Sequence, residues 1–431
     1  ALARSGPTPT MLHLLFIGVC ALNSDSWSRR SAIRVAGAVG TAAAVAVAPG
    51  HAAPTPALAP PAAPLPPLPK LGTVWGATDG LNGDDFVAFD ESAYKAMADD
   101  ARRTPLFEEA IRRRLRGKEG QLIVLDIGTG PFALLALMAA RAGAKRVYAV
   151  EANAEAARRA RTAISRARDV PAGTIEVLEG FSSDVSLPGG IKADLVLAEI
   201  VGSVASEEGL LATLRDAQVR LVRAPHDPAS YIPYACQTIV APACYALHYS
   251  LGPPRFDWDK LRAPVRLNCR DETLQLLADP QVLESVTLSS AHLPPAGRWL
   301  PAGAAGLEFY FEPGRMQAAE AAFTAELRRE RAPEEEAARM AAAVSRSLSA
   351  VAMWPRLILD EQGELVVESR GPHGEPQKSH WQTVVALLSA RPVLIKPGAS
   401  LRLRAAVQSG NAINAPTRYE LEAELSAGPP S

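Results

Sequence analysis

The chain is poor in the features that mark several large classes of protein. It holds four cysteines in 431 residues, at positions 20, 236, 244 and 269, and their spacing matches neither a C-x-x-C metal pair nor a disulfide framework. Neither sign of charge is in excess, because 45 Lys and Arg face 46 Asp and Glu. Proteins that bind duplex nucleic acid usually carry a basic stripe. The sequence therefore predicts no metal site and no direct nucleic-acid partner.

Long apolar runs are also scarce. The run MLHLLFIGVC, which begins at Met11, is too short to span a bilayer as a helix, so no stable membrane insertion is expected. The 48% hydrophobic and 21% charged residues are typical of a globular protein with a sizeable core. The length suffices for two or three compact domains.

The first 70 residues have the composition of a leader and a linker. After the paired Arg29 and Arg30 come an Ala/Val stretch and small residues ending near Ala53, which is typical of an export signal of the twin-arginine kind. Together with the apolar run at Met11, this stretch would make two signals in series. Since few acidic residues accompany them, they favour a plastid presequence over residues 1–53, with the plastid lumen as one destination. The alternative is that the alanine bias imitates a signal and the protein is cytoplasmic or nuclear. Residues 54–70 are predicted to be a stiff Pro/Ala linker.

Alternating strand and helix patterns predict an α/β, Rossmann-like domain over residues 71–228. Two short helices over residues 94–115, interrupted near Thr104-Pro105, precede it. Its predicted strands are Leu122–Asp126, Arg146–Glu151, Ile175–Leu178 and Ala193–Glu199, and its helices are Phe132–Ala142 and Ala154–Arg168. Continuous apolar runs separated by helices are typical of a parallel sheet.

Short β-rich runs separated by turn residues predict a second, β-barrel domain over residues 229–431, with a sandwich as the alternative. The predicted strands are residues 237–241, 281–289, 307–311, 356–359, 365–368, 382–388, 400–407 and 418–425. A segment rich in Ala, Glu and Arg predicts a helical insertion over residues 315–350, which would be available for forming a homodimer.

The run Asp126-Ile-Gly128-Thr-Gly130 lies between a predicted strand and a predicted helix. Glycine lets a backbone approach a ligand closely, and the helix behind it offers free N–H groups. Glu151 ends the next strand, where a carboxylate can accept both hydroxyls of an adenosine ribose. This piece alone leaves NAD and S-adenosylmethionine open as cofactors.

Glu199 ends the fourth predicted strand and Glu208 follows nine positions later. Ligands of open α/β sheets lie beyond the carboxyl ends of the strands, so both carboxylates can reach one cleft. A methyl donor is a sulfonium cation and arginine is a guanidinium cation, so bringing them together requires negative charge. This need favours S-adenosylmethionine over NAD. Seen alone, Ser206-Glu207-Glu208 could equally be a solvated helix cap.

Taken in order, these motifs resemble the protein arginine methyltransferase family from about Phe86 to Leu388. The resemblance implies that Arg103 in YKAMADDARR binds the carboxylate of the donor, and that Asp100 pairs with His380 of SHWQ. It also implies that Glu199 and Glu208 form the catalytic pair, that S-adenosylmethionine is the cofactor, and that protein arginine side chains are the substrate. The resemblance also implies that Ser182 and Ser183 stand in the segment that faces the adenine. A methyltransferase for small molecules and an inactive, binding homologue are the alternatives, and the degree of methylation is left open.

The sequence departs from the family pattern in three places. Pro131 and Phe132 replace the usual threonine and glycine of the glycine loop, although proline suits a first helical turn. Phe86 and Phe89 stand where the family has hydroxyl-bearing tyrosines, and serines replace the acidic pattern at 182–183.

Overall fold

A computed structural model of the chain describes residues 71–77, 90–261, 263–371, 379–396, 398–410 and 412–426. The leader and linker expected for residues 1–53 and 54–70 lie outside these residues, as do Phe86 and Phe89. Strand β1 (Leu71–Gly76) opens the described chain, and helices α1 (Glu91–Ala98) and α2 (Thr104–Leu115) follow. The break expected near Thr104-Pro105 falls earlier, over residues 99–103. Pro105 lies in the first turn of α2, where the missing N–H costs nothing.

Five parallel strands form the sheet of the Rossmann-like domain, in the order β4-β3-β2-β5-β6. They are β2 (Ile123–Ile127), β3 (Arg146–Glu151), β4 (Ile175–Glu179), β5 (Leu195–Ala198) and β6 (Tyr231–Ile232). Helices α3 (Leu134–Arg141), α4 (Ala154–Arg166) and α5 (Leu210–Arg220) connect them. The chain runs from β2 outward to β4 and then returns to place β5 on the other side of β2. Such a reversal leaves a crevice beyond the carboxyl ends of β2 and β5.

The barrel domain consists of antiparallel strands in two large sheets, one ordered β10-β7-β14-β16-β8 and the other β1-β19-β18-β11. Strands β9 and β15 extend the first sheet, β12 extends the second, and β13 pairs with β17. The strands are β7 (Ala235–Tyr245), β8 (Val265–Asn268), β9 (Leu274–Leu276), β10 (Gln281–Thr287), β11 (Gly297–Trp299), β12 (Leu307–Tyr310), β13 (Ser347–Leu348), β14 (Ala350–Ile358), β15 (Val366–Glu368), β16 (Gln382–Leu387), β17 (Val393–Leu394), β18 (Ser400–Ser409) and β19 (Arg418–Ser426). The short helix α6 (Ala246–Ser250) follows β7.

The helical insertion is a hairpin of α7 (Pro313–Arg329) and α8 (Glu334–Ser345). Its expected end at residue 350 is wrong, because Ser347–Leu348 pairs with β17 and the buried run of β14 begins at Ala350. Met316, Phe323 and Val344 join the apolar core of the barrel. The hairpin therefore packs against its own chain through its apolar face.

Two domain boundaries expected from the sequence also differ from the structure. Strand β1 pairs along its whole length with β19 at the other end of the chain, so it belongs to the barrel and not to the Rossmann-like domain. The side chains of Leu71 and Trp75 explain this placement, because both are buried in the barrel core. Strand β6 lies beyond residue 228 but extends the parallel sheet beside β5.

The two domains share one continuous apolar core. Barrel residues Val286, Leu288, Leu357 and Trp381 pack in the same cluster as the strands and helices of the Rossmann-like domain. Over the described residues, no helix is both long and apolar enough to cross a membrane.

Candidate active site

The turn after β2 has a backbone that only glycine adopts without strain. Gly128 and Gly130 have φ angles of 78° and 66°, in the left-handed region. A Cβ atom on Gly128 would lie 2.8 Å from Cγ2 of Ile200, and one on Gly130 would lie 3.2 Å from Cε1 of Tyr94. The glycine loop therefore passes close to the segment after β5 and to helix α1.

The expected helix start after this loop is wrong. Residues 131–133 form a turn, and α3 begins at Leu134, so Pro131 lies before the helix and not in its first turn. Ala133, at the residue before the helix, has a left-handed φ of 47°. The chain therefore makes an additional turn between Gly130 and α3 that the sequence pattern does not predict.

Two carboxylates fix the glycine loop. Glu151, at the end of β3, accepts hydrogen bonds from the N–H groups of Gly130 and Asn153, both at 2.8 Å, and burial raises its pKa. Asp126, at the end of β2, accepts a 2.6 Å hydrogen bond from Oγ1 of Thr129. Burial raises the pKa of Asp126 to about 7. Asp126 also accepts a hydrogen bond from the backbone of Ala136 in α3, so this side chain ties the loop to the helix that follows it.

Glu199 and Glu208 meet at the crevice from two sides. The Glu199 carboxylate, 7% exposed, forms an ion pair with the guanidinium of Arg103, which follows α1. The Glu208 side chain is exposed, and its carboxylate has no hydrogen bond or ion pair among the described residues, but the protein around it still reduces its hydration. This reduced hydration, together with the negative charges of Glu199 and Glu207, raises the pKa of Glu208 to about 7. Glu208 is a free acceptor on the wall of a cleft.

Asp100 and His380 form the pair that the sequence predicted. Oδ2 of Asp100 accepts hydrogen bonds from Nδ1 of His380 at 2.9 Å, from its backbone N–H at 3.0 Å and from Oγ of Ser379 at 3.2 Å. Burial opposes the charge of Asp100, but these bonds hold its pKa below the usual value. Burial lowers the pKa of His380, so the neutral ring keeps a lone pair on Nε2.

The two serines differ in their surroundings. Ser182 is 3% exposed, and its Oγ is buried without a hydrogen-bond partner among the described residues. Ser183 is exposed, and its hydroxyl donates to Asp184 at 3.0 Å. Nε of Arg103 is likewise buried without a partner in the described part of the chain. Orphaned buried polar atoms at Ser182 and Arg103 fit a polar ligand such as S-adenosylmethionine.

The sequence reasoning missed three residues of this site. The ring of Tyr94, on α1, lies against Gly130, and burial raises its pKa, as do the charges of Glu151 and Glu208. Glu207 is not a solvated cap: it is buried and forms an ion pair with Arg266 of β8. The sequence signal for Glu207 was its position next to Glu208 in the run SEEG, which begins at Ser206. Nothing local marks Arg266, because its position depends on the packing of the barrel.

About a third of the chain resembles known proteins in sequence. The chain is 37% identical over 131 residues to "Protein arginine N-methyltransferase PRMT10" of Oryza sativa subsp. japonica, which covers 30% of this chain and 32% of the relative. It is 36% identical over 126 residues to "Probable histone-arginine methyltransferase 1.4" of Arabidopsis thaliana, covering 29% of this chain and 23% of the relative. The matched stretches thus span about a third or less of these relatives. No protein-family model matches the chain.

The whole chain resembles solved structures in fold. The Arabidopsis thaliana protein arginine methyltransferase 10 structure matches with a TM-score of 0.57 at 18% identity, over 81% of this chain and 97% of that one. The PRMT6 structure matches with a TM-score of 0.51 at 18% identity, over 78% of this chain and all (100%) of the other. These matches confirm the predicted Rossmann-like domain followed by a barrel with a helical insertion. The chain is thus similar to protein arginine N-methyltransferases in sequence over about 130 residues, and it shares the fold of their solved structures over about four fifths of its length.

Proposed function

We propose that this chain transfers a methyl group from S-adenosylmethionine to the guanidinium groups of arginine side chains in proteins. The observation that carries the proposal is the pair of carboxylates at the crevice, with Glu199 bound to Arg103 and Glu208 free of any partner in the described part of the chain. A free carboxylate held among other acids is suited to a cationic acceptor. A neutral small-molecule acceptor would not require such a carboxylate.

The residues of the chain divide the work between donor and acceptor. Glu151, the glycine loop and the orphaned hydroxyl of Ser182 would hold the adenosine part of the donor. Arg103 would bind its carboxylate through the guanidinium that now contacts Glu199. When bound, S-adenosylmethionine supplies an electrophilic methyl group. Glu199 and Glu208 orient the acceptor guanidinium and balance the two positive charges, which is a matter of positioning and charge complementarity.

Asp100 and His380 have a supporting part in this arrangement. Methylation of a guanidinium releases one proton. The hydrogen bond to Asp100 fixes the His380 ring with Nε2 unprotonated, so the imidazole can take up a proton in the cleft. Glu208, with its raised pKa, is the other group able to take it.

The test is methyl transfer to an Arg/Gly-rich peptide, followed by mass spectrometry. Glu208→Gln keeps the shape of the side chain and breaks no internal contact, so binding of S-adenosylhomocysteine should stay within about twofold while turnover falls at least about a hundredfold. Glu335→Gln, on the exposed start of α8, is the matched control and should leave turnover unchanged. Full activity of Glu208→Gln would refute the mechanism. A wild-type protein that binds the donor but methylates no arginine would favour an inactive homologue.

We also propose that residues 1–53 direct the protein to plastids, on the strength of the twin arginines and the acid-poor, alanine-rich stretch. The mature protein should then begin between Ala52 and Pro69, or later. N-terminal sequencing of protein from its native source tests this proposal. A mature form that retains Met11 to Arg30 would contradict it.

Self-association through the helical hairpin is a further proposal. A solved relative from Trypanosoma brucei is described as a heterotetrameric enzyme–prozyme complex, with a TM-score of 0.51 to this chain. The apolar face of the hairpin is buried in its own barrel, so a partner would have to bind its charged outer face. Light scattering at two salt concentrations tests this: a dimer of this kind should dissociate as salt rises, and a monomer at low salt would contradict it.

A further inference from the structure

The segment that carries Glu208 is bound by side chains of the barrel. The backbone N–H of Ala205 donates to Oγ1 of Thr238 on β7 at 2.9 Å. The backbone N–H of Ser206 donates to the Glu284 carboxylate on β10 at 3.1 Å. Thr238 in turn donates its hydroxyl hydrogen to the same Glu284 oxygen at 2.6 Å. The two consecutive amides are therefore both connected to Glu284, that of Ser206 directly and that of Ala205 through Thr238.

Every other polar group of Ser206 is also bound by the barrel domain. Its hydroxyl lies 2.9 Å from Oε2 of Glu284 and 3.1 Å from the hydroxyl of Tyr419. Its carbonyl oxygen accepts a 3.1 Å hydrogen bond from Oγ1 of Thr417. We call Thr238, Glu284, Thr417 and Tyr419 the loop clamp.

The burial of Glu284 is unfavourable for stability. It is 1% exposed, forms no ion pair within the described residues, and burial raises its pKa. A buried carboxylate without a cation is unfavourable for stability, and an apolar residue of similar size would usually cost less. The hydroxyl and amide donors of Thr238 and Ser206 offset that cost. A side chain kept against such a penalty is better explained by what it positions than by packing.

The clamp fixes the chain on one side of Glu208, and the next residue fixes the other side. Gly209 has a left-handed φ of 77°, and a Cβ atom there would lie 2.5 Å from the carbonyl oxygen of Ile413. Glu208 therefore extends into the cleft from a short span held at Ser206 and at Gly209. We propose that Glu284 and Thr238 are positioning residues, through which the barrel domain sets where the Glu208 carboxylate meets the acceptor guanidinium. This inference rests on the proposed function for its effect on catalysis.

The chain offers a matched pair of substitutions for the test. Thr238 and Thr383 are both fully buried on barrel strands, but the hydroxyl of Thr383 has no hydrogen-bond partner among the described residues. Thr→Val keeps the shape and removes the hydroxyl. Thr238→Val should lower kcat/KM for the arginine peptide about ten- to a hundredfold, since small misplacements of a catalytic group are costly. Its affinity for S-adenosylhomocysteine should stay within about twofold. Thr383→Val should change neither quantity.

Two further measurements separate positioning from general damage. Thr238→Ser restores the hydroxyl and should recover most of the lost kcat/KM. Hydrogen exchange of the Ala205 and Ser206 amides should be about tenfold faster or more in Thr238→Val and unchanged in Thr383→Val. Glu284→Gln keeps an acceptor oxygen, so its kcat/KM should lie between those of the wild type and Thr238→Val.

The outcomes are distinct. If Thr238→Val keeps wild-type kcat/KM, or loses it in parallel with donor affinity, Glu208 is not positioned by the clamp. If both valine variants lose activity equally, the effect is general packing and the inference is wrong. If the wild-type protein methylates no arginine, the proposed function fails. The exchange rates of Ala205 and Ser206 still decide whether the barrel holds the loop.

Discussion

In the proposed mechanism the charge of Glu208 helps the cleft to bind the acceptor cation, and that charge depends on pH. Reduced hydration, with the charges of Glu199 and Glu207, raises its pKa to about 7, while Arg266 opposes the rise. A carboxyl with a raised pKa is neutral below that pKa and charged above it. We therefore expect kcat/KM for an arginine peptide to rise with pH up to about 7 and then to level off. A profile that is flat between pH 6 and 8, or the same limb surviving in Glu208→Gln, would contradict this.

Glu151 is the residue on which donor binding is expected to depend most. Its carboxylate holds the N–H of Gly130 and can still accept hydrogen bonds from a ribose. Glu151→Ala should weaken binding of S-adenosylhomocysteine by about 1.5–3 kcal/mol, the range for charge-assisted hydrogen bonds. Calorimetry measures the loss, with Glu335→Ala, at an exposed position on α8, as control. Unchanged affinity in Glu151→Ala, or tight binding of NAD, would contradict the assignment.

At the scale of elements, Asp100 joins the turn after α1 to the loop before β16. Its pKa is held below the usual value, so its stabilising contribution is present above the unfolded pKa and disappears as the pH falls through the folded one. Asp100→Asn should lower the free energy of unfolding by about 1–3 kcal/mol at pH 7. The deficit should be constant from pH 6 to 8 and shrink below about pH 4. Urea titration at these pH values is the measurement, and a deficit that grows in acid would contradict a stabilising role for hydrogen bonds to the charged Asp100 carboxylate.

The elements that the sequence predicted well are those with local signals. Strand β3 was predicted with its observed bounds, Arg146–Glu151, because a continuous apolar run between turn residues is the pattern of a buried parallel strand. The start of α3 was misplaced because Ala133 takes a left-handed φ, which its residue type does not announce. The pairing of Asp100 with His380 came from family resemblance. The contacts of Arg266 and Glu284 depend on barrel packing and have no sequence signal.

At the scale of the whole molecule, the ends of the described chain close the barrel. Trp75 of β1 stacks on Tyr419 of β19 with ring centroids 5.1 Å apart, and Tyr419 in turn contacts Ser206 in the segment that carries Glu208. No local pattern could predict a contact between residues so distant in sequence. Because closure of the barrel and order in the cleft share Tyr419, damage to β1 should reach the active site.

Trp75→Ala tests that connection. The side chain is 1% exposed, so its removal should cost about 3–5 kcal/mol of stability. Because the stack on Tyr419 is lost, methyl transfer at a temperature where the variant stays folded should also fall. Thermal unfolding followed by circular dichroism gives the first quantity. Val74→Ala, at the neighbouring 56% exposed position, should lower neither the stability nor the methyl transfer. Normal activity in a folded Trp75→Ala protein would separate barrel closure from the site.

The shared core makes a last prediction about the two domains together. Val286, Leu288 and Leu357 of the barrel pack into the cluster that holds the strands of the Rossmann-like domain, so neither domain can unfold without exposing apolar surface of the other. We expect one cooperative transition in urea, with tryptophan fluorescence and far-ultraviolet circular dichroism coinciding. S-adenosylhomocysteine at a hundred times its Kd should stabilise that single transition by about 2.7 kcal/mol. Four of the six tryptophans lie after residue 250 and Trp75 also belongs to the barrel, so fluorescence reports mainly on the barrel, whereas the residues proposed to hold the donor lie in the other domain. If the domains were independent, the ligand would shift the circular dichroism transition alone and leave the fluorescence transition in place.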